Sequence, residues 1–141
     1  MQKIGIINIL LGFITIVVSS CMGFFLVADA EKAFLVDTQI LSSWSYTLFK
    51  SAHGHFNLFG MLHILMGLSF PYSKLPYRWL ILQSLGLLMG TLTMGGLVLI
   101  RARIPPPQSL DLLGILIGCF LVCSLLSLMT HCYGLGLKVF R

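Results

Sequence analysis

Apolar positions form four long runs along the chain, separated by short polar segments. The runs cover residues 4–28, 47–70, 77–100 and 110–133. About 20 apolar residues in a helix, each rising about 1.5 Å, are enough to cross the hydrocarbon core of a bilayer. The pattern therefore predicts an all-α fold, in which residues 1–141 form a single transmembrane domain, an integral membrane four-helix bundle.

The segments between the runs carry the residues that interrupt helices. Residues 29–45 are the longest polar stretch and predict a loop, with an amphipathic turn around residues 33–40. Pro71 and Pro76 lie in the second connection, and proline disfavours helix both at its own position and at the one before it. The prolines of residues 105–107 make the third connection stiff and extended.

The N-terminal run raises the question of a cleaved leader. Residues 28–30, Ala-Asp-Ala, resemble a signal-peptidase site. The apolar run before them is longer than the 7–15 residues of a typical signal-peptide core. The sequence therefore predicts a first helix that is retained.

Composition and charge narrow the class of protein. Hydrophobic residues make up 57% of the 141 residues and charged residues only 9%, whereas a soluble domain carries about 25% charged residues. The net charge of +5 comes from single or paired basic residues at the ends of the runs, where they anchor helices at lipid headgroups. These features predict the lipid bilayer as partner, exclude nucleic acid, and leave no segment for a soluble catalytic domain.

The basic residues also predict an orientation. Cytoplasmic segments of membrane proteins carry the excess of lysine and arginine. With the N-terminus inside, the inner side holds Lys3, Lys74, Arg78, Lys138 and Arg141, and the outer side holds Lys32, Lys50, Arg101 and Arg103. We therefore expect a protein of the bacterial inner membrane with both termini in the cytoplasm.

Three of the four histidines lie on the second run, as His53, His55 and His63. Ionisable side chains inside a membrane are costly and point to a function. Helical spacing places His53 on one face with His63 at its edge, and His55 on the opposite face. An imidazole can ligate haem iron, and neighbouring glycines leave room for the porphyrin. The histidines are thus candidate metal ligands: His53, His55, His63 and His131.

Depth in the membrane limits how these ligands can pair. His53 and His63 are ten residues apart, about 15 Å along the helix axis, so they cannot hold one haem together. His131 lies near the inner end of the fourth run, at roughly the level expected for His63. The pair His63 and His131 is therefore predicted to sandwich a b-type haem or to bind a metal.

The partners predicted for His53 lie on the third run and its end. Met94 is at a similar depth and is a candidate second ligand, although a second copy of the chain is an alternative source. Arg101 and Arg103 follow on the same side, and guanidinium groups pair well with carboxylates such as haem propionates.

The segment around His53 also carries a family resemblance. Residues 52–60, Ala-His-Gly-His-x-Asn-Leu-x-Gly, resemble small four-helix proteins related to subunit I of haem–copper oxidases. There an Ala-His pair opening the second helix supplies an axial ligand to the low-spin haem, which implies that role for His53. The chain has no match for that subunit's second haem ligand or its copper-binding histidines. The resemblance therefore implies a protein that is not catalytic by itself.

Three functions remain open. The first is a small protein of a respiratory redox system that binds b-type haem and supports electron transfer. The second is a non-catalytic accessory subunit of a larger membrane enzyme complex, or a homo-oligomer, with histidines as polar contacts between helices. The third is a proton or metal transporter, which is disfavoured because no run carries a buried acid. The spacings Gly86-x3-Gly90 and Gly114-x3-Gly118 favour a compact bundle or a dimer.

Overall fold

The computed structural model describes residues 3–36 and 38–139, and of Ile40 only the backbone. These residues form helices and no strand, which confirms the predicted all-α class. Short 3₁₀ turns, Thr38–Ser42 and Phe70–Tyr72, flank the second long helix. The long helices are α1 (Lys3–Val36), α2 (Trp44–Ser69), α3 (Tyr77–Ala102) and α4 (Leu112–Val139).

Helix α1 is longer than the run that predicts it. It continues to Val36, because no proline or glycine interrupts residues 24–36. The prediction of a loop from residue 29 is therefore wrong over residues 29–36. The 34 residues of α1 extend about 51 Å, compared with about 30 Å for the hydrocarbon core of a bilayer.

Side chains outside the helices fix where α2 and α4 begin. Ser43 has an extended backbone, and its hydroxyl accepts a hydrogen bond from the Tyr46 N–H. Asp111 plays the same part for α4, since its carboxylate accepts the Gly114 N–H at 2.9 Å. Both are N-caps, which satisfy backbone donors that the first turn of a helix leaves without partners.

Small residues let α1 and α2 pack closely as antiparallel neighbours. The buried positions of α1 recur every three or four residues over most of its length: Gly5, Asn8, Gly12, Thr15, Ser19, Leu26 and Ala33. A Cβ added at Gly67 of α2 would lie 2.5 Å from the Gly5 carbonyl oxygen. A Cβ at Gly12 would lie 2.6 Å from the Gly60 carbonyl oxygen. The two backbones are therefore in contact, as is common where small residues line membrane helices.

The two Gly-x3-Gly spacings, one on α3 and one on α4, differ in whether another helix lies against them. A Cβ at Gly86 would meet Ser127 of α4, and one at Gly90 would meet Phe59 of α2. The spacing on α3 therefore brings helices together within the chain. On α4, Gly118 has open space around it, and Gly114 has only residues of the preceding turn nearby.

Helix α3 contains one turn of π-helix at Thr93–Leu97. The Phe56 ring of α2 occupies the space that a side chain at Gly95 would need. The Thr93 hydroxyl donates to the Met89 carbonyl at 2.8 Å, so this carbonyl gains a side-chain partner where the regular ladder is interrupted. The π turn thus fits α3 around an aromatic side chain of α2.

Three helices of the described residues are long and apolar enough to cross a membrane, namely α1, α3 and α4. This supports association with a membrane. Helix α2 has 26 residues, which is sufficient length, but His53, His55, Asn57 and His63 lower its hydropathy. Its place in the bundle is between α1 and α3, both of which it contacts along its length.

Candidate functional site

His63 of α2 lies at the centre of a buried polar cluster and is 0% exposed. Its Nδ1 lies 2.8 Å from Asn8 Oδ1 of α1, and its Nε2 lies 3.0 Å from Thr91 Oγ1 of α3. Both ring nitrogens are therefore hydrogen-bonded, each to a different helix. We name Asn8, His63, Ser84 and Thr91 the central polar cluster.

The Asn8 amide fixes the direction of these hydrogen bonds. Its Nδ2 donates to the Ile4 carbonyl at 3.0 Å and to Ser84 Oγ at 2.6 Å. The remaining Oδ1 is an acceptor, so the His63 Nδ1–H must donate to it. We assign this tautomer from the partners, as is usual for histidine. The cluster thereby links α1, α2 and α3 through one satisfied network.

His131 of α4 forms a second interhelical contact. Its Nε2 lies 2.7 Å from Ser69 Oγ of α2, and its Nδ1 lies 3.0 Å from Gln83 Oε1 of α3. The Phe70 ring packs edge-on against the imidazole, with 5.4 Å between ring centroids. Gln83 Nε2 is buried without a partner among the described residues. This contact ties α4 to both neighbours near the ends of α2 and α4.

The predicted sandwich of His63 and His131 is not formed in this conformation. His131 lies beside Ser69, six residues or about 9 Å farther along α2 than His63. Each ring uses both nitrogens in hydrogen bonds. Iron coordination by either histidine would require those bonds to break.

His53 differs from the other two, because only one ring nitrogen has a partner in the part of the chain that is described. The Ser19 hydroxyl donates to the His53 carbonyl at 2.9 Å, and His53 Nδ1 lies 2.9 Å from the Ser19 carbonyl. A carbonyl only accepts, so Nδ1 carries the proton. Nε2 then holds its lone pair, which is the state of a histidine that ligates metal.

A cavity of about 370 Å³ lies beside His53, between α1 and α2. A Cβ at Gly23 would lie 2.9 Å from His53 Cε1, so glycine is needed to leave space for the ring. Tyr46 and Lys50 also line the cavity, two turns and one turn before His53 on α2. The site therefore combines an oriented imidazole, a cation and a hydroxyl.

The remaining predicted ligands do not join His53. His55 is exposed on the opposite face, and its Nδ1 lies 2.9 Å from the Ser51 carbonyl of its own helix. Met94 is buried in the apolar core with Phe59, and it does not line the cavity beside His53.

The two arginines predicted to hold propionates lie at the end of α3. Arg101 is 7% exposed and forms an ion pair with Asp111, at 2.6 Å between Nη1 and Oδ2. Arg103 follows α3 on the surface. The Gly114 N–H, and then the Arg101 guanidinium, lower the pKa of the Asp111 carboxyl below its ordinary value. The pair joins the end of α3 to the start of α4.

The sequence patterns did not predict the hydrogen-bond partners that decide what each histidine can do. Asn8, Ser19, Thr91 and Gln83 are polar residues within apolar runs. Polar groups inside a membrane need a partner, so their presence in these runs was the available signal. The described residues contain no group of three or more His, Cys, Asp or Glu side chains that could hold a metal ion.

Comparisons with known proteins identify no relative of this chain. No family model, no curated protein and no solved structure matches this chain.

Proposed function

We propose that the chain crosses the membrane four times and serves as a non-catalytic accessory subunit of a larger membrane complex. The observation that carries the proposal is the hydrogen bonding of His63 and His131, which use both ring nitrogens to join helices. Histidines in this state stabilise a bundle. They are the polar contacts expected between membrane helices.

The packing of α2 supports the fourth crossing. Helix α2 runs antiparallel to α1 and also packs against α3, and both neighbours are candidate spans. A helix that lies along two such neighbours would cross the membrane with them. Its polar side chains His53 and His63 are bonded to α1 and α3, which offsets the cost of placing them in the membrane.

The surface of α4 supports association with another membrane protein. Its buried positions, Ser124, Ser127, His131 and Gly134, all lie from Ser124 onwards. In the first half, Gly118 has open space around it. Small residues on an open helix face permit close approach by another helix.

Two experiments test this proposal. Reporter fusions after Ser43 and after Ser73 should lie on opposite sides of the membrane, and fusions on the same side would contradict the fourth crossing. In mild detergent the chain should comigrate with a larger membrane protein at a fixed ratio. Its recovery only as an isolated monomer or dimer would contradict the accessory role.

A second candidate function is electron transfer through b-type haem, and His53 is the residue that favours it. Its Nδ1 is held by the Ser19 carbonyl, and its side chain lines a cavity. These features suit one axial ligand. A haem bound there would supply reversible one-electron chemistry, and the protein would orient it through His53. A second copy of the chain is the source we propose for another axial histidine.

A visible spectrum tests this candidate, recorded as reduced minus oxidised on the purified protein. Binding through His53 predicts a b-type α-band that His53→Ala removes and His55→Ala retains. A colourless protein from haem-replete cells would rule it out. So would a band that survives in His53→Ala.

A further inference from the structure

A second cavity, of about 530 Å³, opens where α1 and the start of α2 diverge. Both apolar and polar side chains line it. The apolar ones are Leu26, Ala33, Val36 and Phe49, and the polar ones are Asp29, Lys32, Ser43, Ser45 and Tyr46. The apolar run of α1 ends at residue 28. The cavity therefore lies at the polar boundary of the bilayer.

Asp29 and Lys32 give this cavity opposite charges one helical turn apart. Neither makes a hydrogen bond or an ion pair with another described residue, and the ion pair found among those residues joins Arg101 to Asp111. Both side chains are exposed where they line the cavity. A ligand that carries both a cation and an anion would pair with both charges at once, and such charge-assisted contacts are stronger than neutral ones.

We propose that this cavity binds a phospholipid with a zwitterionic headgroup that carries a primary ammonium, such as phosphatidylethanolamine. The ammonium lies against Asp29, the phosphate lies against Lys32 and the neighbouring hydroxyls, and the acyl chains follow Leu26 and Phe49 towards the membrane interior. Residues three apart on a helix have Cβ atoms about 5–6 Å apart. This separation suits a phosphate and an ammonium joined by two carbons.

The chemistry of Asp29 selects among headgroups. A primary ammonium donates three hydrogen bonds, and a charge-assisted hydrogen bond to a carboxylate is stronger than a neutral one. A quaternary choline cannot donate, and an anionic glycerol headgroup offers no cation. We therefore expect phosphatidylethanolamine to be retained over phosphatidylcholine and phosphatidylglycerol.

Native mass spectrometry of the full chain, released from mixed-lipid nanodiscs, tests this proposal. Asp29→Asn should lower retention of phosphatidylethanolamine about tenfold relative to the unchanged chain, the effect expected from losing one charge-assisted contact. Glu31→Gln is the matched control, because it removes the same charge from an exposed position that does not line the cavity. It should leave retention unchanged.

Lys32→Gln provides a second variant, in case Asp29→Asn fails to fold by circular dichroism. It should lower retention of phosphatidylethanolamine through loss of the phosphate contact. Millimolar soluble glycerophosphoethanolamine should not displace the lipid, since it lacks the chains that pack on Leu26 and Phe49. Equal retention in the unchanged chain and the folded Asp29 or Lys32 variants would overturn the proposal, as would equal loss in Glu31→Gln or displacement by the soluble headgroup. None of these outcomes depends on an accessory role.

Discussion

His63 and His53 are residues of the same type on one helix, but their burial and their hydrogen bonding differ. His63 is fully buried, and each ring nitrogen is bonded to a neighbouring helix. His53 is partly exposed, is bonded through Nδ1 alone among the described residues, and adjoins a cavity. Both are membrane histidines on nearly the same face of α2. The partners of a histidine, rather than its place in an apolar run, therefore determine whether it stabilises the fold or stays available to a ligand.

The largest effect should come from truncating the buried histidine, His63. His63→Ala removes two hydrogen bonds, leaves Asn8 Oδ1 buried without a donor, and opens a cavity. We expect it to lower the free energy of unfolding by about 3 kcal/mol. His53→Ala loses one hydrogen bond at a partly exposed position and should cost about 1 kcal/mol. Unfolding in mixed detergent and SDS, followed by circular dichroism, measures both. Equal losses would remove the distinction between the two regions.

A smaller effect is expected from the glycines of α2. Gly67→Ala places a Cβ against the Gly5 carbonyl, where it would lie at 2.5 Å, and should destabilise the bundle by about 2 kcal/mol through overpacking. A Cβ added at Gly54 would meet nothing within 4 Å. Gly54→Ala should therefore be neutral or stabilising by up to about 1 kcal/mol. The same unfolding assay separates them, and a harmless Gly67→Ala would show that α1 and α2 pack less closely than their glycine contacts indicate.

The smallest effect concerns the connection between α3 and α4. The pKa of Asp111 is lowered in the folded chain. Its contribution to stability is therefore present above the ordinary aspartate pKa, and it is lost as pH falls from about 4 through the lower folded pKa. Asp111→Asn keeps the N-cap but removes the ion pair with Arg101, so stability should lose this part of its acid dependence.

Asp111→Ala removes both contacts and should lower the midpoint of thermal unfolding more than Asp111→Asn does. Midpoints measured between about pH 3 and pH 7 test this order, since that range spans the ordinary aspartate pKa. The same acid dependence in the unchanged chain and in Asp111→Asn would mean that other groups cause it.

The sequence predicted the helices well and the contacts between them poorly. Long apolar runs and prolines are local signals, and they located all four helices. The extension of α1 to Val36 was not predicted, because charged residues such as Glu31 are typical of loops. No residue of this segment, however, ends a helix. The level of His131 was also misjudged. The level of His131 relative to α2 depends on the connections at residues 70–76 and 103–111, because they determine where α4 lies along α2. No single apolar run carries that information.

The candidate site shows the same difference between what local sequence patterns predict and what depends on the tertiary fold. The importance of His53 and His63 was visible from their positions in an apolar run. Their different states depend on Ser19, Asn8 and Thr91, which lie on other helices, so the pairing requires the tertiary fold. The direction of each hydrogen bond then follows from the partner, since a carbonyl or an amide oxygen can only accept.

The most direct test of the central claim is a double-mutant cycle between Asn8 and His63. The claim is that the buried histidines join helices, and Asn8→Leu, His63→Leu and the double variant measure that contact in unfolding assays. We predict a coupling free energy of about 1 kcal/mol, within the range of hydrogen bonds between membrane helices. Additive effects of the two substitutions would show that the two side chains do not stabilise each other, and would contradict the account.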